Sequence, residues 1–193
     1  MSGTAEKLMD LAELRMREAG YHGFSFRELA SEIGITSASV HHHFPTKAEM
    51  VVAVMQRYKG KFAELVAPQP GETAEDAIAS YRDAIRDGWL AQRGMCLSGV
   101  LGAEASGLPS ELLGQVEIFF REAIDGLAAR IGGPDAEERA FSILATLEGG
   151  LILARVYDDI SAFDRATSGL LPANRREAGD EAAAHDFERK RVA

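Results

Sequence analysis

The side chains of this chain that could do chemistry are concentrated in the segment TSASVHHHFPTK, from Thr36 to Lys47. Three consecutive imidazoles raise the question of a metal site. Neighbouring residues of a helix project about 100° apart, so His41, His42 and His43 cannot converge on one ion. The small side chains before them would instead let a helix backbone approach base edges in the major groove of DNA. We therefore predict a DNA-contacting helix and no metal centre.

One face of this helix would carry the contacts. Ser37, Ala38, His41 and His42 share a broad helical face, while Val40 points inward. Imidazole can donate or accept a hydrogen bond toward a base or a phosphate.

Helices must position this segment. Ser25, with Glu28 three residues later, forms a capping-box pattern, and Gly34 ends the helix that Ser25 begins. Thr36 or Ser37 then caps the next helix, which runs through the histidines. The result is a helix, a turn that contains glycine, and a second short helix, which is the pattern of a helix-turn-helix motif. Apolar periodicity predicts a preceding helix up to Gly20 and a following one, capped by Thr46, over 46–67.

The stretch PQPGET at 68–73 separates this region from a second helical one. No segment has the two-residue alternation of a confident strand, so the predicted fold is all-α. We expect a three-helix helix-turn-helix domain at 1–50, a second helical domain at 51–171, and a charged tail at 172–193. Helices are predicted in the second domain at about 73–92, 97–106, 109–131, 135–158 and 160–170.

Composition limits the class of protein. With 46% apolar and 26% charged residues in 193, the chain should form a packed fold. The N-terminal region lacks the pattern of a secretory signal, and the most apolar stretch, LEGGLILARV, is too short to cross a bilayer. A single cysteine, Cys96, excludes an intramolecular disulfide. We expect a cytoplasmic protein with no membrane partner.

The net charge of −9 is unevenly distributed. Residues 1–61 contain eight basic and seven acidic residues, whereas residues 62–193 contain thirteen and twenty-three. This asymmetry suggests two regions with different partners. Because phosphate neutralisation dominates DNA affinity, so slight a positive charge predicts that two copies must bind together, reading a palindrome as a dimer.

The segment FSFRELASEIGITSASVHHHFPTKAEMVVAV resembles the DNA-binding domain of the tetracycline-repressor (TetR) family, over roughly residues 5–55. The resemblance rests on four features: the helix RELASEIG, the turn G-I-T, the H-H-F that ends the next helix, and the T-K-A-E-M that follows. It implies a transcriptional regulator, most often a repressor, that binds an operator in double-stranded DNA as a homodimer and is released by a small-molecule effector. No cofactor is implied.

The resemblance also implies roles for individual residues. It implies phosphate contacts from Thr36, Ser39 and Lys47, and base or backbone contacts from Ser37, Ala38, His41 and His42. Ser25 and Arg27 could also contact phosphates. Alternatively, Ser25 and Thr36 are only helix caps, Arg27 is a solvated surface charge and His43 is structural. Family members commonly have Tyr where this sequence has His41.

The acidic half contains two long helices with wide apolar surfaces, and we assign these last two long helices to the core and the subunit interface. Gly149 and Gly150 should let another helix approach closely. The resemblance implies that residues 51–171 form a ligand-binding and dimerisation domain with an effector pocket. Each residue that is a candidate for lining this pocket could also be an ordinary core residue. Glu148, amid an apolar helix, would then form a structural ion pair, with Arg155 as a candidate mate. The candidate ligand-binding residues are Tyr81, Trp89, Cys96, Phe119, Phe120 and Glu148.

Two alternatives to a reversibly bound effector remain at this stage. The stretch GMCLSGVLGAEASGLPSEL is similar to a branch of the family that senses reactive carbonyls and acrylate-like electrophiles, which would make Cys96 a redox or electrophile switch. Cys96 could equally be a small buried residue. An enzyme is disfavoured because the sequence contains no nucleophile elbow, phosphate-binding glycine loop or spaced metal-ligand set.

Overall fold

The computed structural model describes residues 3–92 and 94–172, and these residues confirm the all-α prediction. The predicted tail lies outside the described residues except for Pro172. The α-helices in the described residues are α1 (Gly3–Ala19), α2 (Phe26–Ile33), α3 (Ser37–His43), α4 (Lys47–Leu65), α5 (Ala74–Gln92), α6 (Leu97–Ala103), α7 (Ser110–Ile131), α8 (Ala136–Tyr157) and α9 (Ser161–Thr167).

Local capping sets the ends of the first helices. Ser25 and Glu28 form the predicted capping box at the start of α2. Gly34 ends α2 with a φ of 72°, a left-handed conformation that glycine adopts without strain. Thr36 caps α3, and Thr46 caps α4 by accepting a hydrogen bond from the Glu49 N–H. These caps confirm the helix-turn-helix predicted between residues 25 and 44.

Helix α4 belongs to both halves of the molecule. Its first turns bury Met50, Val51 and Val54 in the same core as α1. Arg57, farther along, pairs with Asp10 and Glu13 of α1 at 2.7 and 2.9 Å. The end of α4 packs against α5 and α7. A displacement at the end of α4 would therefore be felt at its beginning.

The second half packs α5, α7, α8 and α9 around an apolar core. As expected, one of the two neighbouring glycines of α8 admits a close helix, because a side chain at position 150 would begin 3.0 Å from the buried ring of Phe163 on α9. A side chain at Gly149 would meet nothing within 4 Å. Gly149 therefore lies on an open face of α8.

Helix α8 is continuous through Glu148 and Arg155, so it is longer than the apolar stretch judged from the sequence. Of the helices in the described residues, α8 alone has the length and composition to cross a bilayer. Its buried residues, among them Leu147 and Leu151, belong to the core it shares with α7 and α9, as expected for a core helix.

The end of α1 is held by the second half of the molecule. The buried guanidinium of Arg17 donates hydrogen bonds to the carbonyl oxygens of Met95, Gly88 and Gly94 at 2.7, 3.0 and 3.0 Å. Arg155 on α8 donates to the carbonyl oxygens of Arg17 and Glu18. These contacts fix the end of α1 against α5, the loop after α5, and α8.

Candidate nucleic-acid interface and ligand cavity

Helix α3 presents the predicted small-residue edge to solvent. Val40 is fully buried and Phe44 nearly so, which anchors the opposite side of the helix in the core. Ala38, His41 and His42 are exposed, and Ser37 and Ser39 are partly exposed. Short side chains on an anchored helix are what close approach to base edges requires. The geometry of α3 is therefore compatible with the predicted DNA contacts.

The two predicted caps differ in how much hydrogen-bonding capacity they keep. Thr36 Oγ1 accepts from the Ser39 N–H at 3.2 Å and lies 2.9 Å from Ser39 Oγ. Ser25 Oγ accepts from the Glu28 N–H, and the Glu28 carboxylate accepts from both the hydroxyl and the N–H of Ser25. The two bonds to the carboxylate lower the pKa of Glu28. The hydroxyl proton of Ser25 is already used, whereas the bond between the Thr36 and Ser39 hydroxyls needs only one of their two protons.

The three histidine rings have different neighbours. His41 Nδ1 lies 3.1 Å from the Pro45 carbonyl oxygen, and its ring stands edge-on to Phe26. His42 and His43 contact each other with ring centroids 5.6 Å apart. With Nδ1–H donating to a carbonyl oxygen, Nε2 of the neutral His41 ring is left as an acceptor, which can pair with an amino group of a base but not with a phosphate oxygen.

Lys47 and Arg27, the two basic candidates, are placed differently. Arg27 is exposed. The Lys47 ammonium donates to the Phe24 carbonyl oxygen at 2.5 Å and lies over the rings of Phe24 and Tyr21, and partial burial lowers its pKa. An ammonium has three donors, so two remain for a phosphate.

The second half contains a cavity of about 340 Å³ between α4, α5 and α7. This volume lies near the lower end of the range for small-molecule sites. Two of the predicted ligand residues, Tyr81 and Phe119, line this cavity together with Phe62, Ala63, Val66 and Ala123. Phe62 lies on the buried face of α4, and its position at a cavity depends on long-range packing that the sequence did not reveal.

The other four predicted ligand residues lie outside the lining of this cavity. Trp89 is buried in the core. Phe120 stands edge-on to Phe119 and packs beneath Gly102 of α6. Cys96 and Glu148 belong to a separate polar cluster with Tyr58.

Glu148 does not form the expected ion pair with Arg155, because the Arg155 guanidinium is turned toward the carbonyl oxygens of α1. Within the described residues, Glu148 Oε2 is buried without a hydrogen-bond partner, and a side chain at Gly99 would begin 2.3 Å from it. Burial raises the pKa of Glu148. The carboxyl is therefore held against the backbone of α6 in an environment that favours its neutral form.

Cys96 lies in an environment that opposes thiolate formation. The residue is 4% exposed. Burial raises the pKa of the Cys96 thiol well above its ordinary value, and the neighbouring Glu148 carboxyl raises it further. Reactive cysteines have the opposite environment, exposed and electropositive. The structure favours the interpretation of Cys96 as a packed residue.

We predict that Cys96 resists thiol reagents in the native protein. Labelling with 5,5′-dithiobis(2-nitrobenzoate) at pH 8 should be at least about a hundredfold slower in buffer than in denaturing urea, since the reagent needs an accessible thiolate. Because Cys96 is the sole cysteine, the unfolded protein is its own control. Rapid stoichiometric labelling of the native protein would contradict this prediction.

Comparison with known proteins identifies the N-terminal region. Residues 8–54 match the family model described as "Bacterial regulatory proteins, tetR family". The chain is 34% identical over 105 residues to the HTH-type transcriptional repressor KstR2 of Rhodococcus jostii, a match covering 44% of this chain and 52% of that protein. The chain thus spans about half the length of KstR2.

Two further relatives match over more of the chain. The transcriptional regulator AcuR of Cereibacter sphaeroides is 28% identical over 170 residues, covering 78% of this chain and 77% of that protein. The crystal structure of a TetR transcriptional regulator from Legionella pneumophila superposes with a TM-score of 0.81 at 29% identity, covering 87% of this chain and 95% of that one. Together with the helix-turn-helix geometry, these similarities show that residues 8–54 form a DNA-binding domain of the tetR type, in a chain that shares its fold with TetR transcriptional regulators.

Proposed function

We propose that the protein is a ligand-responsive transcriptional repressor that binds a palindromic operator as a homodimer and is released by a small molecule. The observation that carries the proposal is the exposed small-residue edge of α3, anchored through Val40 and Phe44. The proposed DNA contacts are those expected from the sequence, with Ser37, Ala38, His41 and His42 in the groove. Such a protein acts in the cytoplasm.

An apolar strip on α8 supports a dimer. Phe141, Ile152, Val156 and Tyr157 are 54%, 54%, 73% and 70% exposed, respectively. The first three lie near one side of the helix with Gly149, where nothing blocks an approaching helix. Exposed residues of α7 are mostly charged, including Glu111, Glu117, Arg121, Glu122 and Asp125. We therefore narrow the proposed interface from the last two long helices to α8, flanked by α9.

The α8 strip, the cavity and α4 together suggest how release would work. Lys59, Phe62, Ala63 and Val66 place the end of α4 at the cavity, while its beginning carries Lys47 beside α3. A ligand that favours one position of α4 would change the separation of the two α3 helices of a dimer. The ligand can shift the equilibrium between the two positions of α4 only by as much as its affinities for them differ.

Selection from random double-stranded oligonucleotides by the full-length protein tests this proposal. We expect enrichment of an inverted repeat whose half-site centres lie about 34–36 Å apart, one helical turn, or a multiple of that spacing. Failure to enrich any sequence at low ionic strength would refute DNA-binding regulation.

We predict that Lys47→Met lowers affinity for the selected operator and reduces its salt dependence. Loss of one phosphate contact per subunit should reduce the slope of log K against log salt by about 1 for each contact. Fluorescence anisotropy at several salt concentrations measures that slope. Lys61→Met, also on α4 but at an exposed position away from α3, is the control. An unchanged slope in Lys47→Met would mean that Lys47 serves only to bind the Phe24 carbonyl.

A further inference from the structure

We propose that the cavity between α4, α5 and α7 binds an uncharged, predominantly apolar molecule about the size of a substituted naphthalene, and that it discriminates against carboxylates and amines. That this molecule is the effector rests on the proposed function. Binding itself is tested without DNA.

The cavity wall is apolar and aromatic. The Phe62 ring lies 5.2 Å from that of Phe119 and 5.6 Å from that of Tyr81, the latter in an edge-on arrangement. Val66 and Ala123 extend the same wall. Rings in these tilted and edge-on arrangements offer both faces and edges to a flat apolar guest. The wall thus favours a ring-bearing molecule.

The guanidinium of Arg130, in the lining of the cavity, has acceptors for four of its five N–H groups. Its Nε and Nη2 donate to the Glu72 carboxylate at 2.6 and 2.8 Å, Nη1 donates to the Val66 carbonyl oxygen at 2.6 Å, and Nη2 also donates to Ser80 Oγ at 3.1 Å. The same bonds lower the pKa of Glu72, so that carboxylate stays ionised and paired. Arg130 therefore offers no unpaired charge to an anionic ligand.

The remaining charged groups of the lining neutralise each other. Lys59 Nζ on α4 lies 3.0 Å from Glu122 Oε1 on α7. A carboxylate entering the cavity would have to displace Glu122 from Lys59, and an amine would have to displace Lys59 from Glu122. Either ion would also lose hydration against the apolar wall. A neutral ligand avoids both costs.

A neutral hydrogen-bonding group completes the lining. Burial raises the pKa of Tyr81, so its hydroxyl is uncharged at neutral pH. This hydroxyl lies beside α7 at Gly126, where a side chain would begin 3.0 Å from it. The absence of a side chain at 126 keeps the hydroxyl clear of α7. A ligand with one hydroxyl or carbonyl group is compatible with this position.

The test uses N-phenyl-1-naphthylamine, a neutral fluorophore, as the probe for the full-length protein. Its fluorescence should rise on binding and fall when 1-naphthylmethanol competes. The isosteric ions 1-naphthoate and 1-naphthylmethylammonium should compete at least about tenfold more weakly, because each must lose hydration. Absence of probe binding, or equal competition by the naphthoate, would overturn the proposal.

Charge pairing at Lys59 can be tested by a gain of function. Glu122→Gln leaves Lys59 without its partner, so the variant should bind 1-naphthoate about two- to fivefold more tightly than the wild type, the range expected of one exposed ion pair. Glu117→Gln makes the same change on the same helix at an exposed residue outside the cavity lining. A similar gain in Glu117→Gln, or none in Glu122→Gln, would show that the Lys59–Glu122 pair does not exclude anions.

Substitutions that fill the cavity with a larger side chain test whether the probe binds there. Ala63→Leu and Ala129→Leu, at two exposed positions of the lining, should each weaken probe binding at least about tenfold by occupying its volume. Ala91→Leu, at an exposed alanine of α5 outside the lining, should leave probe binding unchanged. If both filling variants melt like the wild type and still bind the probe, the site is elsewhere. Probe binding without operator binding would refute the proposed regulator but not this inference.

Discussion

Replacing Ile152 with aspartate should convert the proposed dimer into a monomer and lower operator affinity by at least about a hundredfold, since a monomer makes half of the phosphate contacts. Ile152 is 54% exposed in the middle of the apolar strip on α8. If the apolar strips of two copies pack together, an aspartate there would be buried in each copy without a partner charge, which is strongly unfavourable. Sedimentation equilibrium and anisotropy on the selected operator measure the two effects.

Two matched variants show whether the effect of Ile152→Asp is specific. Leu90→Asp changes a leucine of similar exposure, 51%, on α5, and should remain a dimer. Leu113→Asp, on the mostly charged surface of α7, tests the wider interface expected from the sequence, and we expect it also to remain a dimer. A dimeric Ile152→Asp protein that binds operator normally would place the interface elsewhere.

Replacing Arg17 with methionine should lower the free energy of unfolding by about 3 kcal/mol or more, since each buried acceptor left unsatisfied costs about 1–3 kcal/mol. Methionine has a side chain of comparable length but donates no hydrogen bond. The carbonyl oxygens of Gly88, Gly94 and Met95 would each lose a donor inside the protein. Urea unfolding monitored by circular dichroism measures the loss.

Arg15→Met, two residues earlier on α1, is the control. Its guanidinium pairs with Glu18 and Glu32, but its side chain is 40% exposed. An exposed pair of this kind contributes at most about 1 kcal/mol. Equal destabilisation by the two substitutions would show that Arg17 acts only as a surface charge.

The sequence predicted the DNA-binding half well because its helix boundaries are local. A cap needs one side-chain oxygen and an N–H two or three residues away, so Ser25, Thr36 and Thr46 could be recognised without knowing the fold. The buried positions of α3 followed from helical spacing in the same way.

Contacts between distant parts of the chain were harder to predict. Nothing near Arg17 in the sequence indicates that its guanidinium meets three carbonyl oxygens more than seventy residues away. Arg155 was expected to pair with Glu148 because the two are close in sequence and opposite in charge, yet it bonds to the end of α1. The cavity depends likewise on how three helices meet. Periodicity identifies an apolar face but not the neighbour that covers it.

The hydrogen bonds of Arg17 affect which amino-acid substitutions this protein can tolerate. The three acceptors described for its guanidinium are main-chain carbonyl oxygens, which every amino acid supplies. Gly94 is the exception, because a side chain there would begin 3.0 Å from Arg17 Nε. As long as residue 94 stays glycine, substitutions of the surrounding side chains would leave these hydrogen bonds between α1 and the second half intact. Genetic recombination between related chains could thus exchange the C-terminal halves while the orientation of the N-terminal helices was kept.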